Sequence, residues 1–131
     1  MAITKKQYKV KFKMERYNPA SAAKPDRETD PSFDLTNSNI GEDVWSEYTL
    51  ATGQTDVQLP KGGVTTIKMF ALKSDVQIKI KIDSADVNNI AFKTKRIYHE
   101  SADGITDVFL TNDSGGSANI SYILAEEAPA E

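Results

Sequence analysis

Residues 64–83 constrain the fold most, because their order of apolar and polar side chains is typical of β-strands. In 76–83 every second residue is apolar, the period expected of a strand with one buried and one solvated face. In 64–72 the apolar residues are nearly continuous, which favours a central strand covered on both sides. Many of them are β-branched and lose side-chain freedom in a helix. We therefore predict two strands folded back on each other about Lys73, Ser74 and Asp75.

The length predicts one domain, and the composition removes several classes of protein. A chain of 131 residues buries roughly two thirds of its unfolded surface and needs no staples. Without cysteine it has no disulfide framework, thiolate nucleophile or cysteine zinc site. No apolar run approaches a membrane span, and none follows the N-terminal charges. We therefore expect neither a signal peptide nor a membrane partner.

The net charge of −3 conceals four blocks of alternating sign. Residues 1–16 and 61–96 each carry a charge of +5, whereas 17–60 carry −6 and 97–131 carry −7. Basic and acidic strands lying side by side would account for this pattern, since opposite charges across a strand pair are stabilising. Alternatively, the basic face of one subunit meets the acidic face of another in a repetitive assembly. Nucleic-acid binding is not expected, because such domains are usually basic overall.

The N-terminal third combines a clear strand with a long loop. Residues 6–17 alternate an apolar face with a lysine stripe formed by Lys9, Lys11 and Lys13. Such a stripe is typical of an edge strand that resists unwanted pairing, and it could also capture an acidic partner surface. Residues 18–32 contain three prolines and no large apolar side chain. We expect this segment to be either a mobile loop or an arm that contacts a partner.

Strands are predicted through the rest of the chain as well. Short strands are expected at 33–40, 44–51, 56–59, 90–98, 105–111 and 118–124, with turns at 37–39, 60–63, 102–104 and 112–117. Residues 125–131 should form a flexible acidic tail. Trp45 is expected to fill the core rather than to form a ligand platform. His99, the only histidine, is expected at the surface at a strand end.

These elements predict an all-β fold, an antiparallel β-sandwich of jelly-roll type with about eight strands. A closed barrel is the alternative. The inward positions of the strands define the expected core: Tyr8, Val10, Phe12, Met14, Trp45, Leu50, Ile67, Met69, Phe70, Leu72, Val76, Ile78, Ile80, Ile82, Ile90, Phe92, Val108, Leu110, Ile120, Tyr122 and Leu124. No cofactor or metal site is predicted, because the acidic turns lack the spacing of a calcium loop.

Several strand endings resemble those of small β-sandwich structural proteins of tailed-phage virions. The resemblance covers roughly residues 55–125 and is carried by 59–67, 70–75, 108–112, 114–120 and 122–125. In that group the chain is a building block, such as a capsid decoration protein, a head fibre or a tail-associated domain. The resemblance brings no catalytic residues with it.

We therefore expect a non-enzymatic capsid decoration protein, located in the virion after assembly in the host cytoplasm. Its partners would be the major capsid protein or other virion subunits, in a homo-oligomer or repetitive assembly. The expected contact residues come from the lysine stripe and the arm: Lys9, Lys11, Lys13, Tyr17, Pro19, Lys24, Pro25, Arg27 and Pro31.

Two alternatives remain open at this point. One is a tail or neck component, in which assembly into a ring or tube replaces binding to the shell. The other is a carbohydrate-binding or receptor-binding module, which would need exposed aromatic faces backed by polar groups. Its candidate residues are Tyr17, Trp45, Tyr48 and Tyr98. An enzyme is not expected, because no pair of carboxylates is singled out by its spacing.

Overall fold

The structure is a computed structural model, and it describes residues 5–11, 14–17, 25–28, 35–86, 89 and 91–128. These residues form nine strands and no helix. In chain order the strands are β1 (Lys6–Val10), β2 (Glu15–Tyr17), β3 (Pro25–Glu28), β4 (Leu35–Leu50), β5 (Val57–Gln58), β6 (Ile67–Ile82), β7 (Phe92–Ile105), β8 (Val108–Thr111) and β9 (Ala118–Glu127).

Seven of the strands form one curled antiparallel sheet, which confirms the all-β antiparallel class. Its order is β1-β4-β9-β6-β8-β5. The strand β7 also pairs with β6 but stands outside this order. The curl is of the sandwich or barrel type, and it encloses the main hydrophobic core. The strands β2 and β3 form a separate two-stranded sheet.

The long strand β6 replaces the predicted hairpin at 64–83. Its first half pairs with β9, its second half pairs with β8, and β7 accompanies both. At the predicted turn the strand only bends: Ser74 is buried, and its hydroxyl donates to the Val76 carbonyl at 2.6 Å. On β7 the Thr94 hydroxyl donates to the Arg96 carbonyl at 2.7 Å. These side chains satisfy backbone groups where the register shifts, so the polar residues mark a bulge and not a reversal.

The main core lies inside the curl. Phe70, Ile78 and Ile80 of β6 have no exposed surface, and neither do Leu110 of β8 and Leu124 of β9. Of the residues predicted to be inward, twelve are buried: Leu50, Ile67, Met69, Phe70, Leu72, Ile78, Ile80, Val108, Leu110, Ile120, Tyr122 and Leu124.

Three of the predicted core residues are exposed instead. Met14 has 75% of its surface exposed, Trp45 has 73% and Phe92 has 50%. The placement of Trp45 follows from the strand register. Its Cα partner on β9 is Ile123, which points to the opposite face of the sheet from the buried Leu124. The predictions for Phe12 and Ile90 lie outside the described residues. Sequence reasoning also missed buried side chains at Ile40, Leu59, Val64, Ile105, Ala118, Ala125 and Ala128.

Several predicted breaks between strands are also wrong. The expected turn at 37–39 lies within the continuous strand β4. The expected hairpin at 102–104 lies within β7, where Gly104 adopts a φ of 80° against the Thr66 side chain. A side chain at that glycine would clash with Thr66, so the glycine serves a close approach and not a reversal. By contrast, the predicted turn at 60–63 is present, closed by a hydrogen bond from the Val64 amide to the Lys61 carbonyl at 3.0 Å.

Two other expectations concern segments outside the main sheet. The predicted loop or arm at 18–32 includes the strand β3, which pairs with β2, and its other residues lie outside the described ones. The predicted acidic tail begins inside the fold: β9 continues to Glu127, and Ala125 and Ala128 are buried. Residues 129–131 lie outside the described part of the chain.

Candidate functional site

The outer face of the sheet carries a row of apolar side chains across four adjacent strands. Register places Trp45 of β4 beside Ile123 of β9, Ile123 beside Ala71 of β6, and Ala71 beside Tyr98 of β7. A sheet covered on one side normally presents polar side chains on the other. The side chains of the inner face already fill the main core. The core therefore does not require these apolar side chains on the outer face.

The strand β1 covers one end of this apolar row. Its Tyr8 and Val10 pack against a small second cluster formed by Ile40, Met69 and Ala125, all of which are buried. The ring of Tyr8 meets the ring of Trp45 edge to face, with centroids 6.1 Å apart at an interplanar angle of 63°. Trp45 itself remains largely exposed.

A polar cluster fixes β1 in this position. The Lys6 ammonium and the Tyr8 hydroxyl both donate hydrogen bonds to the Asp43 carboxylate of β4. Burial alone would raise the pKa of Asp43, but the bonds from Lys6 and Tyr8 hold that pKa below its usual value. Burial, together with the Asp43 carboxylate, raises the pKa of Tyr8 above its ordinary value. The tyrosine therefore stays a neutral donor across the physiological range.

We call the hollow between β1 and the apolar row the outer groove. Its volume is about 370 Å³. Met69, Ala71 and Ile123 form its floor, and the rings of Trp45 and Tyr98 stand beside them. Lys9 of β1 and Lys11, which directly follows that strand, are exposed and line its rim.

A second hollow, of about 230 Å³, continues from the outer groove. The two share Trp45, Ala71 and Ile123, and the second is lined by Lys73 and Arg96 as well. Lys73 and Arg96 are Cα partners on β6 and β7, in the row next to Ala71 and Tyr98. The two hollows together form a concave, largely apolar surface with cations at both ends, a surface suited to binding a ligand or partner.

Tyr98 forms one side of the outer groove and is oriented by its own neighbour. Its hydroxyl donates to the Glu100 carboxylate at 2.8 Å. Burial and this carboxylate raise the pKa of Tyr98 above its ordinary value. The phenol is therefore neutral, and its ring stands at the groove beside Ala71.

The predicted contact residues that the structure describes lie partly at the outer groove and partly in the separate sheet of β2 and β3. Of the lysine stripe, Lys9 and Lys11 line the outer groove, whereas Lys13 lies outside the described residues. Arg27 is exposed on β3, opposite Arg16 of β2, in the separate hairpin. Tyr17 and Pro25 are Cα partners in that hairpin. Pro19, Lys24 and Pro31 lie outside the part of the chain that the structure describes.

The remaining candidate residues, Tyr48 and His99, are partly buried within the fold. Tyr48 packs against the main core, so it is not an exposed platform. His99 is half-buried in the middle of β7, with its ring 5.6 Å from that of Phe70. The prediction of a surface position at a strand end is therefore wrong. Within the described ranges, no three His, Asp or Glu side chains are grouped as a metal site would need, and no helix is long and apolar enough to cross a membrane.

Sequence reasoning missed the outer groove, although one signal for it was present. Residues 122–125 are apolar at every position, as 69–72 are, so both strands offer apolar side chains to both faces. Such runs are typical of strands covered on two sides. On the outer side, β1 covers only part of the face, so Trp45 stays largely exposed.

No protein-family model matches this chain, and no curated protein sequence matches it significantly.

Proposed function

We propose that this chain is a non-enzymatic structural protein of a tailed-phage virion, a capsid decoration protein that binds the assembled head through its outer groove. The observation that carries the proposal is Trp45, which is 73% exposed within an apolar row on a sheet whose inner face is already packed. Large contiguous apolar patches on soluble proteins mark interaction sites, and exposed tryptophans are frequent anchors of such contacts. The resemblance of residues 55–125 to virion proteins supports the choice of partner.

The mechanism is a shift of equilibrium towards the assembled shell. A protein that binds only the assembled state stabilises that state. The stabilisation grows with the logarithm of the ratio between the free concentration of the protein and its dissociation constant. β-Strands supply every residue of the outer groove except Lys11. Little conformational entropy is therefore lost in the decoration protein when the groove is occupied.

Immunogold electron microscopy of particles from the source culture tests the proposal. Antibody raised against the purified chain should label heads evenly. Label confined to tails or necks would transfer the assignment to a tail component, and unlabelled particles would contradict a virion role.

A binding assay then tests the site. Purified heads stripped of the protein should rebind the unmodified chain, and Trp45→Ala should weaken that binding by at least about tenfold, the usual effect of losing an aromatic anchor. Phe92→Ala is the matched control, because Phe92 is also an exposed aromatic residue but lies outside the outer groove. Equal losses in the two variants would remove the outer groove from the proposal.

Carbohydrate binding is a second candidate, favoured by the aromatic residues at the groove. Trp45, Tyr8 and Tyr98 stand around one hollow, and sugar sites use such rings together with a few polar groups. A glycan array probed with the unmodified chain and with Trp45→Ala decides between the candidates. Hits that disappear in the variant would favour a receptor-binding role, and an array without hits would favour the decoration role.

A further inference from the structure

The cations around the outer groove lack the partners that other lysines of the sheet have. Lys61, Lys79 and Lys81 each form an ion pair with an aspartate, at 3.0, 3.0 and 3.6 Å. By contrast, none of the four exposed cations that line the outer groove or the second hollow makes a side-chain hydrogen bond or ion pair with another described residue. They are Lys9, Lys11, Lys73 and Arg96.

The carboxylates near the groove offset only part of this charge. Asp43 is already bonded to Lys6 and Tyr8, and Glu100 accepts the hydroxyl of Tyr98. Glu47 of β4 and Lys73 of β6 are both Cα partners of Ser121, so β9 lies between them. Among the described residues, four cations without a side-chain partner therefore stand around an apolar floor, against the carboxylates of Glu47 and Glu100, because a bond from a neutral phenol leaves the charge of Glu100 in place.

The shape of the surface restricts what can occupy it. The two hollows meet over Ala71 and Ile123, so a ligand that fills both must be elongated. An extended peptide directs alternate side chains to opposite sides. It can thus place apolar side chains against the floor while its carboxylates reach the cations at either end. Globular contact is hindered on one side by β1, which stands over Met69.

We propose that the outer groove binds an extended acidic segment of a partner subunit, in which apolar side chains alternate with carboxylates. This inference rests on the proposed function, since it states the chemistry of the partner at the same face. The cations would steer the segment and set its register, and burial against Trp45, Ala71 and Ile123 would supply most of the affinity.

Fluorescence of Trp45 provides a direct test, because it is the only tryptophan in the chain. The probe is a decapeptide of alternating glutamate and leucine. We expect a saturable change in tryptophan emission, with a dissociation constant that rises with salt as charge contacts are screened. Decapeptides of lysine with leucine and of glutamate with serine test the charge and the apolar part separately, and both should bind at least about tenfold more weakly.

Charge reversal locates the binding site. Lys73→Glu/Arg96→Glu and Lys9→Glu/Lys11→Glu should each weaken the glutamate–leucine peptide by about tenfold or more. Lys93→Glu/Lys95→Glu is the matched control: it makes the same change in net charge on β7, at exposed residues outside both hollows. It should change the dissociation constant by less than about twofold.

Four binding results would overturn the inference. They are no saturable emission change, equal binding of the lysine–leucine peptide, equal weakening by the control pair, and tighter binding of a ten-residue oligothymidylate, which would indicate nucleic acid. Sedimentation showing a dimer that Trp45→Ala dissociates would assign the groove to a second copy and overturn it as well. Failure of head binding with intact peptide binding would contradict the decoration role alone, so the two proposals fail separately.

Discussion

The inner and the outer face of the sheet are built from the same strands, yet their apolar side chains have different surroundings. On β9, Ile120, Tyr122 and Leu124 point into the curl and are almost fully buried. On the other side of the same strand, Ala125 is covered by β1 but Ile123 is only half-buried. Beside Ile123, Trp45 is largely exposed.

Apolar side chains on the two faces therefore differ in what they contribute to the fold. Inside the curl, close packing removes apolar surface from water and stabilises the fold. On the outer face the same kind of surface stays partly in contact with water, and we propose that a partner covers it. Substitutions on the two faces should therefore separate stability from binding.

The largest loss of stability is expected from Phe70→Ala. Phe70 has no exposed surface and lies in the main core, so its truncation should cost about 3–5 kcal/mol in the free energy of unfolding. Trp45→Ala removes an even larger ring from the outer face and should change that free energy by less than about 1 kcal/mol. Urea denaturation followed by circular dichroism measures both variants. Similar losses would mean that the exposed ring is part of the core after all.

A smaller loss is expected where a polar side chain closes the inner core. Asn112 is fully buried; its amide donates to the carbonyls of Leu50 at 2.9 Å and Gly116 at 2.8 Å, and its oxygen accepts from the amide of Ser114. Asn112→Ala leaves these groups without their partner and should cost about 1–3 kcal/mol. Ser117→Ala, at an exposed position in the same loop, is the control for the denaturation experiment. A neutral Asn112→Ala would show that water replaces the side chain.

The smallest effect is expected at the link between β1 and β4, and it depends on pH. Because the pKa of Asp43 is held below its usual value, its charged form stabilises the fold above pH ~4, and this contribution disappears as the pH falls through the lowered pKa. Asp43→Asn should therefore destabilise by about 1 kcal/mol at pH 7, the value of a typical hydrogen bond.

Thermal melting from pH 7 to pH 2 checks this sign. The difference between the unmodified chain and Asp43→Asn should shrink steadily below pH ~4. Asp103→Asn makes the same charge change at an exposed turn-like position in β7 and controls for net charge. A difference that grew on acidification would contradict the direction of the Asp43 pKa.

The two faces also differ in how well their side chains could be predicted from the sequence. Strict alternation in 76–83 predicted the inward positions Ile78 and Ile80 correctly, because a period of two leaves only one apolar face to bury. In 69–72 and 122–125 both faces are apolar, so periodicity could not say which side was enclosed. The outer groove was missed for this reason, and so was the exposure of Trp45.

The amino-acid sequence alone was enough to predict that the chain is all-β, which residues lie in most strands, and most of the inner core. Those properties follow from local alternation and β-propensity, which act over a few neighbouring residues. Three features follow from the tertiary structure alone: β6 bends at Ser74 without reversing, β1 covers only part of the outer face, and Trp45 stays largely exposed at the groove that Lys9 and Lys11 line. Each of these depends on register between strands distant in the chain, and that register is set by packing across the whole sheet.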